Sequence, residues 1–307
     1  MNIAALLPQV SLRLPANLDM GFCPTMETTR KEFNMTNVGE TGFEFNWSVK
    51  APFTFKPAYG KLNVGETTPI HVFFSPKDPS SFVSTAVCKL SSGDTMPLQL
   101  QGVGKVTHIT TSETNLNFGK CAVNTPFSKT ILIKNISLVT ATVSVEPVEN
   151  DLLNDVYSFE PKSLIIAPGA SANMTVTYNP NTTETFDCNN YMLSTPGGNN
   201  IKITCSGYGI GPEVVISPMS INFGDVPAEK EIKRLITLEN RSNIEAEYNI
   251  KADAEGIFRF DKTEGVVPPL QTRQITVYFF PKTPLNYYRR FFIIVKNQGV
   301  SVSIIVE

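Results

Sequence analysis

The chain has 307 residues, of which 41% are hydrophobic and 18% charged, with 22 prolines and 19 glycines. This composition is that of a globular protein, and the length suits about two or three domains. The formal net charge is −2, and the charge stays nearly balanced in every part of the chain, which argues against a basic surface for nucleic-acid phosphates.

The first residues, MNIAALLPQVSLRL, have no basic segment before the apolar stretch, and Pro8 interrupts that stretch. This is not the pattern of a secretory signal peptide. No apolar run in the sequence approaches the roughly 18 residues that cross a bilayer. The sequence therefore predicts a cytoplasmic protein with no membrane span in this segment.

One twenty-residue pattern occurs three times, at 18–37, 116–135 and 221–240. In each copy a glycine and an asparagine are sixteen positions apart, at Gly21 and Asn37, Gly119 and Asn135, and Gly224 and Asn240. A second pair of anchors follows at a spacing of 21, at Phe55 and Pro76, Phe159 and Pro180, and Phe260 and Pro281. Two fixed blocks joined by a variable loop indicate one fold repeated three times.

Apolar residues alternate with polar ones inside both blocks, as at Ile131, Ile133 and Asn135. This period of two predicts half-buried antiparallel strands. The glycine allows a bulge, and the asparagine amide is expected to pair with backbone groups of the following turn. Asn199 lies outside the repeat, and we therefore expect it to tolerate replacement by alanine.

Each repeat is predicted to be an immunoglobulin-like β-sandwich of about seven strands, so the fold class is all-β. We expect an N-terminal lead at 1–11 and sandwiches at 12–104, 105–211 and 212–307, joined by short, apolar connectors. The closing glycine follows the repeated proline by 26 residues in the first copy and 27 in the second. A spacing of 27 in the third copy reaches position 308, one beyond Glu307, which predicts a domain cut at its last strand and a longer native chain.

These spaced residues resemble the ASH (ASPM, SPD-2, hydin) domain, which is grouped with the major-sperm-protein and PapD-like immunoglobulin folds. The resemblance covers residues 12–307, with Met20 and Leu270 as departures from the pattern. Tandem ASH domains occur chiefly in ciliary and flagellar proteins. The resemblance thus implies a structural role in the axoneme, in its central apparatus, with other axonemal or cytoskeletal proteins as partners.

Three features of the sequence suggest a chemical site, and each is better explained by a structural role. Cys23 and Cys88 flank Trp47 as in secreted immunoglobulin domains, but the other copies lack such a pair, which favours buried thiols. The glycine-rich GYGIG at 207–211 is not followed by a helix, which favours a turn at the end of a domain. His71 and His108 lack metal-ligand neighbours, so we expect no cofactor, no small-molecule substrate and no enzyme activity.

The segment LNYYRRFFIIV at 285–295 is the candidate contact surface. Phe82, Phe186 and Tyr287 each lie six residues after the repeated proline and are expected in the core. Tyr288, Arg289 and Arg290 have no such counterparts, and Tyr and Arg are favoured at protein interfaces. We assign these three as partner-binding residues, with an ordinary solvated strand as the alternative.

The sequence thus predicts a non-enzymatic scaffold of cilia or flagella. The alternative is a cytosolic adaptor, similar to major-sperm-protein domains, that binds short peptide motifs at membrane contact sites. Those relatives use a basic groove, whereas the three predicted domains here carry 8 basic and 8 acidic, 6 and 8, and 12 and 12 residues. A third possibility, a periplasmic chaperone, lacks an export signal.

Overall fold

The structure, a computed structural model, describes residues 10–148, 156–298 and 302–306. The 27 strands within these ranges form three groups of nine, and each group folds into one sheet of four strands and one of five. The predicted all-β class with three tandem immunoglobulin-like sandwiches is confirmed. Each sandwich has nine strands rather than about seven. One reason is that its first segment is divided into two short strands, the first in the four-stranded sheet and the second in the five-stranded sheet. No helix able to cross a bilayer is found in the described ranges.

Sandwich 1 contains strands β1–β9. Their bounds are Leu12–Arg13, Asn17–Pro24, Thr29–Asn37, Phe43–Ser48, Phe53–Lys56, Tyr59–Leu62, Thr67–Phe74, Ser81–Leu90 and Thr95–Lys105. The sheet orders are β1-β3-β7-β5 and β2-β9-β8-β4-β6. Phe53 stacks on Phe74 in the core, with ring centroids 4.9 Å apart, and thereby joins two strands of the smaller sheet.

Sandwich 2 contains strands β10–β18. Their bounds are Ile109–Thr111, Asn115–Ala122, Phe127–Asn135, Ala141–Pro147, Tyr157–Glu160, Ser163–Ile166, Ser171–Tyr178, Thr185–Ser194 and Asn200–Ile210. The sheet orders are β10-β12-β16-β14 and β11-β18-β17-β13-β15, which repeat those of sandwich 1. Tyr157 and Tyr178 occupy the places of the stacked phenylalanines, with ring centroids 4.8 Å apart.

Sandwich 3 contains strands β19–β27. Their bounds are Val214–Ser217, Ser220–Ile221, Ile232–Asn240, Ala246–Ile250, Phe258–Phe260, Glu264–Val267, Thr272–Phe279, Arg289–Val295 and Val302–Val306. The sheet orders are β19-β21-β25-β23 and β20-β27-β26-β22-β24. Phe258 and Phe279 form the corresponding aromatic pair at 4.9 Å. One sheet topology and one aromatic pair thus recur in all three sandwiches.

The glycine of each repeat has a left-handed backbone near the start of its sandwich. Gly119 has a φ of 69°, and the register of β11 on β18 shifts between Asn117 and Lys120. The predicted bulge is confirmed there and at Gly21 in sandwich 1. A polar side chain two residues earlier accepts the glycine N–H, which the sequence analysis did not anticipate. These acceptors are Asp19, Asn117 and Asn222.

The repeated asparagine is buried and bonded in the same way in each sandwich. Asn135 Nδ2 donates to the carbonyl oxygens of Val139 at 2.8 Å and Ile166 at 2.9 Å, and its Oδ1 accepts the N–H of Ser137 at 2.9 Å. The side chain thereby connects the turn after β12 to the end of β15. Equivalent sets of bonds are made by Asn37 and Asn240. The predicted role of this amide is confirmed.

The paired glycines at the end of the closing strands of sandwiches 1 and 2 lie inside the sheet. A Cβ at Gly102 would lie 2.7 Å from the ring of Phe74, and one at Gly207 would overlap the ring of Tyr178. The strand must therefore have glycine here, because any side chain would collide with the core aromatic ring that packs against it. The prediction that 207–211 is a turn was wrong, because β18 continues to Ile210.

The prediction that Phe186 belongs to the core was also wrong. Its side chain is 64% exposed, because Asp187 and not Phe186 lies opposite Gly207, as Phe82 lies opposite Gly102. The carboxyl of Asp187 is buried and accepts the Tyr178 hydroxyl at 2.6 Å. A polar pair in sandwich 2 thus replaces the Phe74–Phe82 contact of sandwich 1.

Leu270 replaces a glycine in the turn before β25 and keeps the left-handed backbone, with a φ of 57°. Its side chain is exposed, so burial of the leucine does not offset the cost of the left-handed backbone. We expect Leu270→Gly to stabilise sandwich 3 by about 0.5–1 kcal/mol, because the left-handed conformation costs about 1–2 kcal/mol and glycine loses some of that in chain entropy. Gly169→Ala, at the same place in sandwich 2 with a φ of 71°, should be destabilising. Denaturant unfolding measures both, and a destabilised Leu270→Gly would contradict this account.

Asn199 has a structural role that the sequence analysis missed. From the hairpin after β17, its side-chain amide accepts the N–H of Ile109 at 2.8 Å and donates to the carbonyl of the same residue at 2.9 Å. Gln298 makes the same pair of bonds to Val214 at 2.8 and 3.2 Å. In sandwiches 2 and 3, a side-chain amide from a hairpin thus holds the first strand through two hydrogen bonds.

We therefore expect Asn199→Ala to destabilise sandwich 2 by about 1–2 kcal/mol, because it leaves two partly buried backbone groups without partners. Asn200→Ala is the matched control, since that neighbouring side chain is exposed. Hydrogen exchange at the N–H of Ile109 measures the loss directly. Equal exchange rates in the two variants would show that the amide does not hold the strand.

Candidate partner-binding surface

Strand β26 carries a row of large side chains on its solvent face. Tyr288, just before the strand, is 55% exposed, and Phe292 and Ile294 are 52% and 59% exposed. Arg290 lies between them and is also exposed. The alternate residues Phe291, Ile293 and Val295 are buried in the core, so the pleat of the strand sends the other four outward. We call Tyr288, Arg290, Phe292 and Ile294 the β26 row.

Cross-strand pairing identifies the equivalent rows of the other sandwiches. Ile294 lies opposite Asn249, as Lys89 lies opposite Asn46 and Ser194 lies opposite Ser144. Every second residue toward the N-terminus from Lys89 and from Ser194 lies on the same face as that residue. The equivalent rows are therefore Val83, Thr85, Val87 and Lys89 on β8, and Cys188, Asn190, Met192 and Ser194 on β17. Only in sandwich 3 does the row combine two aromatic rings, an aliphatic side chain and an arginine. Aromatic residues and arginine are enriched at the centres of protein interfaces.

The structure separates the three residues that the sequence analysis assigned. Tyr288 and Arg290 lie on the outer face, whereas Arg289 is turned toward acidic side chains. Arg289 pairs with Glu255 at 2.8 Å and approaches Asp253 at 3.9 Å. Among the described residues Arg290 has no ion-pair partner. The partner-binding assignment of Arg289 therefore rests on a side chain that is already engaged within the sandwich.

Phe292 and Ile294 were missed by the sequence analysis, although the alternation in YRRFFIIV contains the signal. Reading every second residue from Tyr288 yields the whole row. A shallow depression beside it is lined by Lys251, Ala252 and Ala254 together with Phe292 and Ile294. The ion pair of Lys296 with Glu247, at 3.0 Å, lies beyond Ile294. The row is therefore a largely apolar surface that contains one arginine and has a further ion pair at its margin, as in many interfaces.

The cysteines pack as small apolar groups. Cys23 and Cys88 are both buried free thiols, and burial raises the pKa of the Cys88 thiol to about 11. Burial also raises the pKa of Cys205 to about 12. Cys188 is exposed, on the β17 row. The buried thiols stay protonated near neutral pH, which opposes reaction with oxidants.

The described residues contain no group of three or more His, Cys, Asp or Glu side chains that could hold a metal ion. His71, on the outward face of β7, has its Nδ1 3.1 Å from a carboxylate oxygen of Glu32 on the neighbouring strand. This is a surface pair of two side chains and offers no third ligand.

A family model described as CFAP65, fourth Ig-like domain, matches residues 220–304. A model described as HYDIN/CFA65/VesB-like, Ig-like domain, matches residues 10–103 and 108–208. The titin fragment I67–I69 is a structural neighbour with a TM-score of 0.28 and 8% identity, covering 99% of this chain and 98% of the fragment.

Three curated relatives match nearly the whole chain. Cilia- and flagella-associated protein 65 of Chlamydomonas reinhardtii is 28% identical over 98% of this chain, and its human counterpart is 25% identical over 92%. The human hydrocephalus-inducing protein homolog is 20% identical over 96%. The chain spans 14%, 16% and 7% of the lengths of these proteins. The chain belongs to the HYDIN/CFA65/VesB-like family of immunoglobulin-like domains.

Proposed function

We propose that the protein is a non-enzymatic structural component of the ciliary or flagellar axoneme, and that the β26 row is a surface on which it binds another axonemal protein. The observation that carries the binding proposal is the composition of the row compared with its two equivalents. A tyrosine, a phenylalanine, an isoleucine and an arginine that has no ion-pair partner among the described residues occupy positions that are mostly small or polar in sandwiches 1 and 2. The relatives' names support the ciliary setting.

The mechanism is geometric. Three sandwiches, proposed at 12–104, 105–211 and 212–307, are joined by connectors whose following strands are tied by Asn199 and Gln298. These ties fix the end of each connector to the sandwich that follows it. Contacts between neighbours, such as that of Thr25 with Gly197, restrict bending, so the array can hold partners at set spacings. The residues 1–9 of the proposed lead at 1–11 lie outside the described residues. Placement in the central apparatus is part of the proposal and rests on the family resemblance.

Proximity labelling of the tagged protein in a ciliated cell tests the setting. We expect the labelled neighbours to be axonemal proteins, in the central apparatus in particular. Neighbours drawn from membrane contact sites, with no axonemal protein among them, would favour the peptide-adaptor alternative and contradict the proposal. Axonemal neighbours from another region would contradict the central-apparatus placement alone.

A further inference from the structure

The turn between the second and third strands has the same construction in each sandwich. Its tip residue has a left-handed backbone, with φ of 64° at Met26, 57° at Asn124 and 63° at Glu229. The N–H of the tip residue donates to the carbonyl of the repeated proline. These bonds measure 2.9 Å to Pro76, 2.8 Å to Pro180 and 2.8 Å to Pro281. We call the segments 25–26, 123–124 and 228–229 the tip turns.

The tip turn of sandwich 1 is covered by sandwich 2. Thr25 Oγ1 donates to the carbonyl oxygen of Gly197, in the hairpin between β17 and β18, at 3.1 Å. Gly197 has a left-handed φ of 60°, and a Cβ there would lie 2.5 Å from Thr25 Oγ1. Thr25 is buried as a result. The hairpin tip of the following sandwich thus contacts the tip turn so closely that a side chain would not fit.

The tip turn of sandwich 2 meets sandwich 3 in the equivalent way. Asn124 Nδ2 donates to Oδ1 of Asn297, in the hairpin after β26, at 3.4 Å. Asn297 has a φ of 61°, nearly that of Gly197. A Cβ at Gly211 would overlap the carbonyl oxygen of Asn297 and would lie 2.7 Å from Cγ2 of Thr183. Both junctions therefore place a left-handed residue of a hairpin tip against the preceding sandwich.

The tip turn of sandwich 3 has no such cover within the described residues. A cleft lies beside it, lined by Pro227, the residue before the turn, and by Pro281, Pro284, Leu285 and Tyr288 among others. Pro284 follows the repeated proline by three residues, as Thr183 does at the covered junction. Leu285 is 70% exposed in this cleft. The surface that is covered in sandwich 2 is thus present in sandwich 3, with apolar residues exposed on it.

We infer that this cleft is the docking surface for the hairpin tip of a further immunoglobulin-like sandwich of this kind. The occupant is a hairpin with glycine or asparagine at a left-handed tip position, as at Gly197 and Asn297. The tip would cover Leu285 and Pro284 and present a hydrogen-bond donor to the side-chain oxygens of Glu229. The inference goes beyond the proposed function, because it rests on the two junctions and not on the ciliary setting.

Photo-cross-linking in the native protein tests the inference. A photoreactive amino acid replaces Glu229 in the full-length protein in its own cell, and the cross-linked residue is mapped by mass spectrometry. We expect it to lie in the hairpin between the last two strands of an immunoglobulin-like sandwich. The same probe at Met26, the exposed tip residue of the turn whose Thr25 is covered, is the matched control. That probe should cross-link to residues 195–199.

Cross-links from position 229 to another kind of surface would overturn the inference. So would the absence of cross-links there while the probe at position 26 reaches residues 195–199. Failure at both positions would contradict the covered junction on which the inference rests. Neither result bears on which proteins surround the chain in proximity labelling, so a failure of this inference is distinguishable from a failure of the proposed function.

Discussion

Replacing Asn135 with alanine is expected to lower the free energy of unfolding of sandwich 2 by about 3 kcal/mol, because several buried backbone groups lose their partners at once. The lost partners include the carbonyls of Val139 and Ile166 and the N–H of Ser137. Alanine is too small to fill the space, and Asn135 has no exposed surface through which water would enter. Each unpaired group then carries its desolvation cost.

Asn173→Ala is the matched control for this change. Asn173 lies on β16 of the same sandwich with an exposed side chain, so we expect a shift within about 0.5 kcal/mol. Hydrogen-exchange mass spectrometry of peptides from sandwich 2 measures both variants. Trp47, the single tryptophan, is buried in sandwich 1, and its fluorescence should report an unchanged transition there. Equal effects of the two substitutions would refute the role of the repeated asparagine.

Tyr178→Phe is expected to cost about 3 kcal/mol, because it leaves the buried carboxyl of Asp187 without its side-chain donor. The tyrosine hydroxyl is 2.6 Å from that carboxyl, and burial, together with this hydrogen bond, raises the pKa of Tyr178. The hydroxyl therefore stays protonated and able to donate over the ordinary pH range. A change that removes one oxygen atom should thus act as strongly as the loss of a large apolar side chain.

The double variant Tyr178→Phe and Asp187→Phe provides the sharper comparison. It recreates the Phe74–Phe82 contact of sandwich 1, whose ring centroids are 5.7 Å apart. We expect it to recover most of the stability lost in Tyr178→Phe, because no buried polar group remains unpaired. Denaturant unfolding of the wild type, both single variants and the double variant gives the coupling free energy. Simply additive effects would mean that the two side chains do not act as a pair.

The repeated features of the fold could be predicted because they depend on local chemistry. The sixteen-residue spacing from glycine to asparagine identified a bulge and a buried amide, and both are present in sandwiches 1 and 2. Alternation identified the strands and the inward residues. A left-handed backbone favours glycine at one position of the sequence. Because the pattern occurs three times, the repeated glycine can be recognised.

Long-range pairing was not predictable in the same way. Phe186 was misplaced because the strand register in sandwich 2 differs by one residue, and such a shift exchanges the two faces of a strand. Asn199 contacts a strand ninety residues away, and no periodicity marks that contact. Arg289 was grouped with Tyr288 and Arg290 because adjacent residues look alike in a sequence, although they point to opposite faces. Counting alternate positions would have shown that Arg289 faces the other way.

Binding of the purified chain to axonemes that lack the native protein tests the central claim most directly. Co-sedimentation should be saturable, and Arg290→Glu with Phe292→Ser should weaken it at least tenfold, because both changes lie on the β26 row. Thr85→Glu with Val87→Ser changes the equivalent positions of sandwich 1 and should bind as the wild type does. Equal binding by all three proteins, each with unchanged thermal unfolding, would contradict a partner surface on sandwich 3.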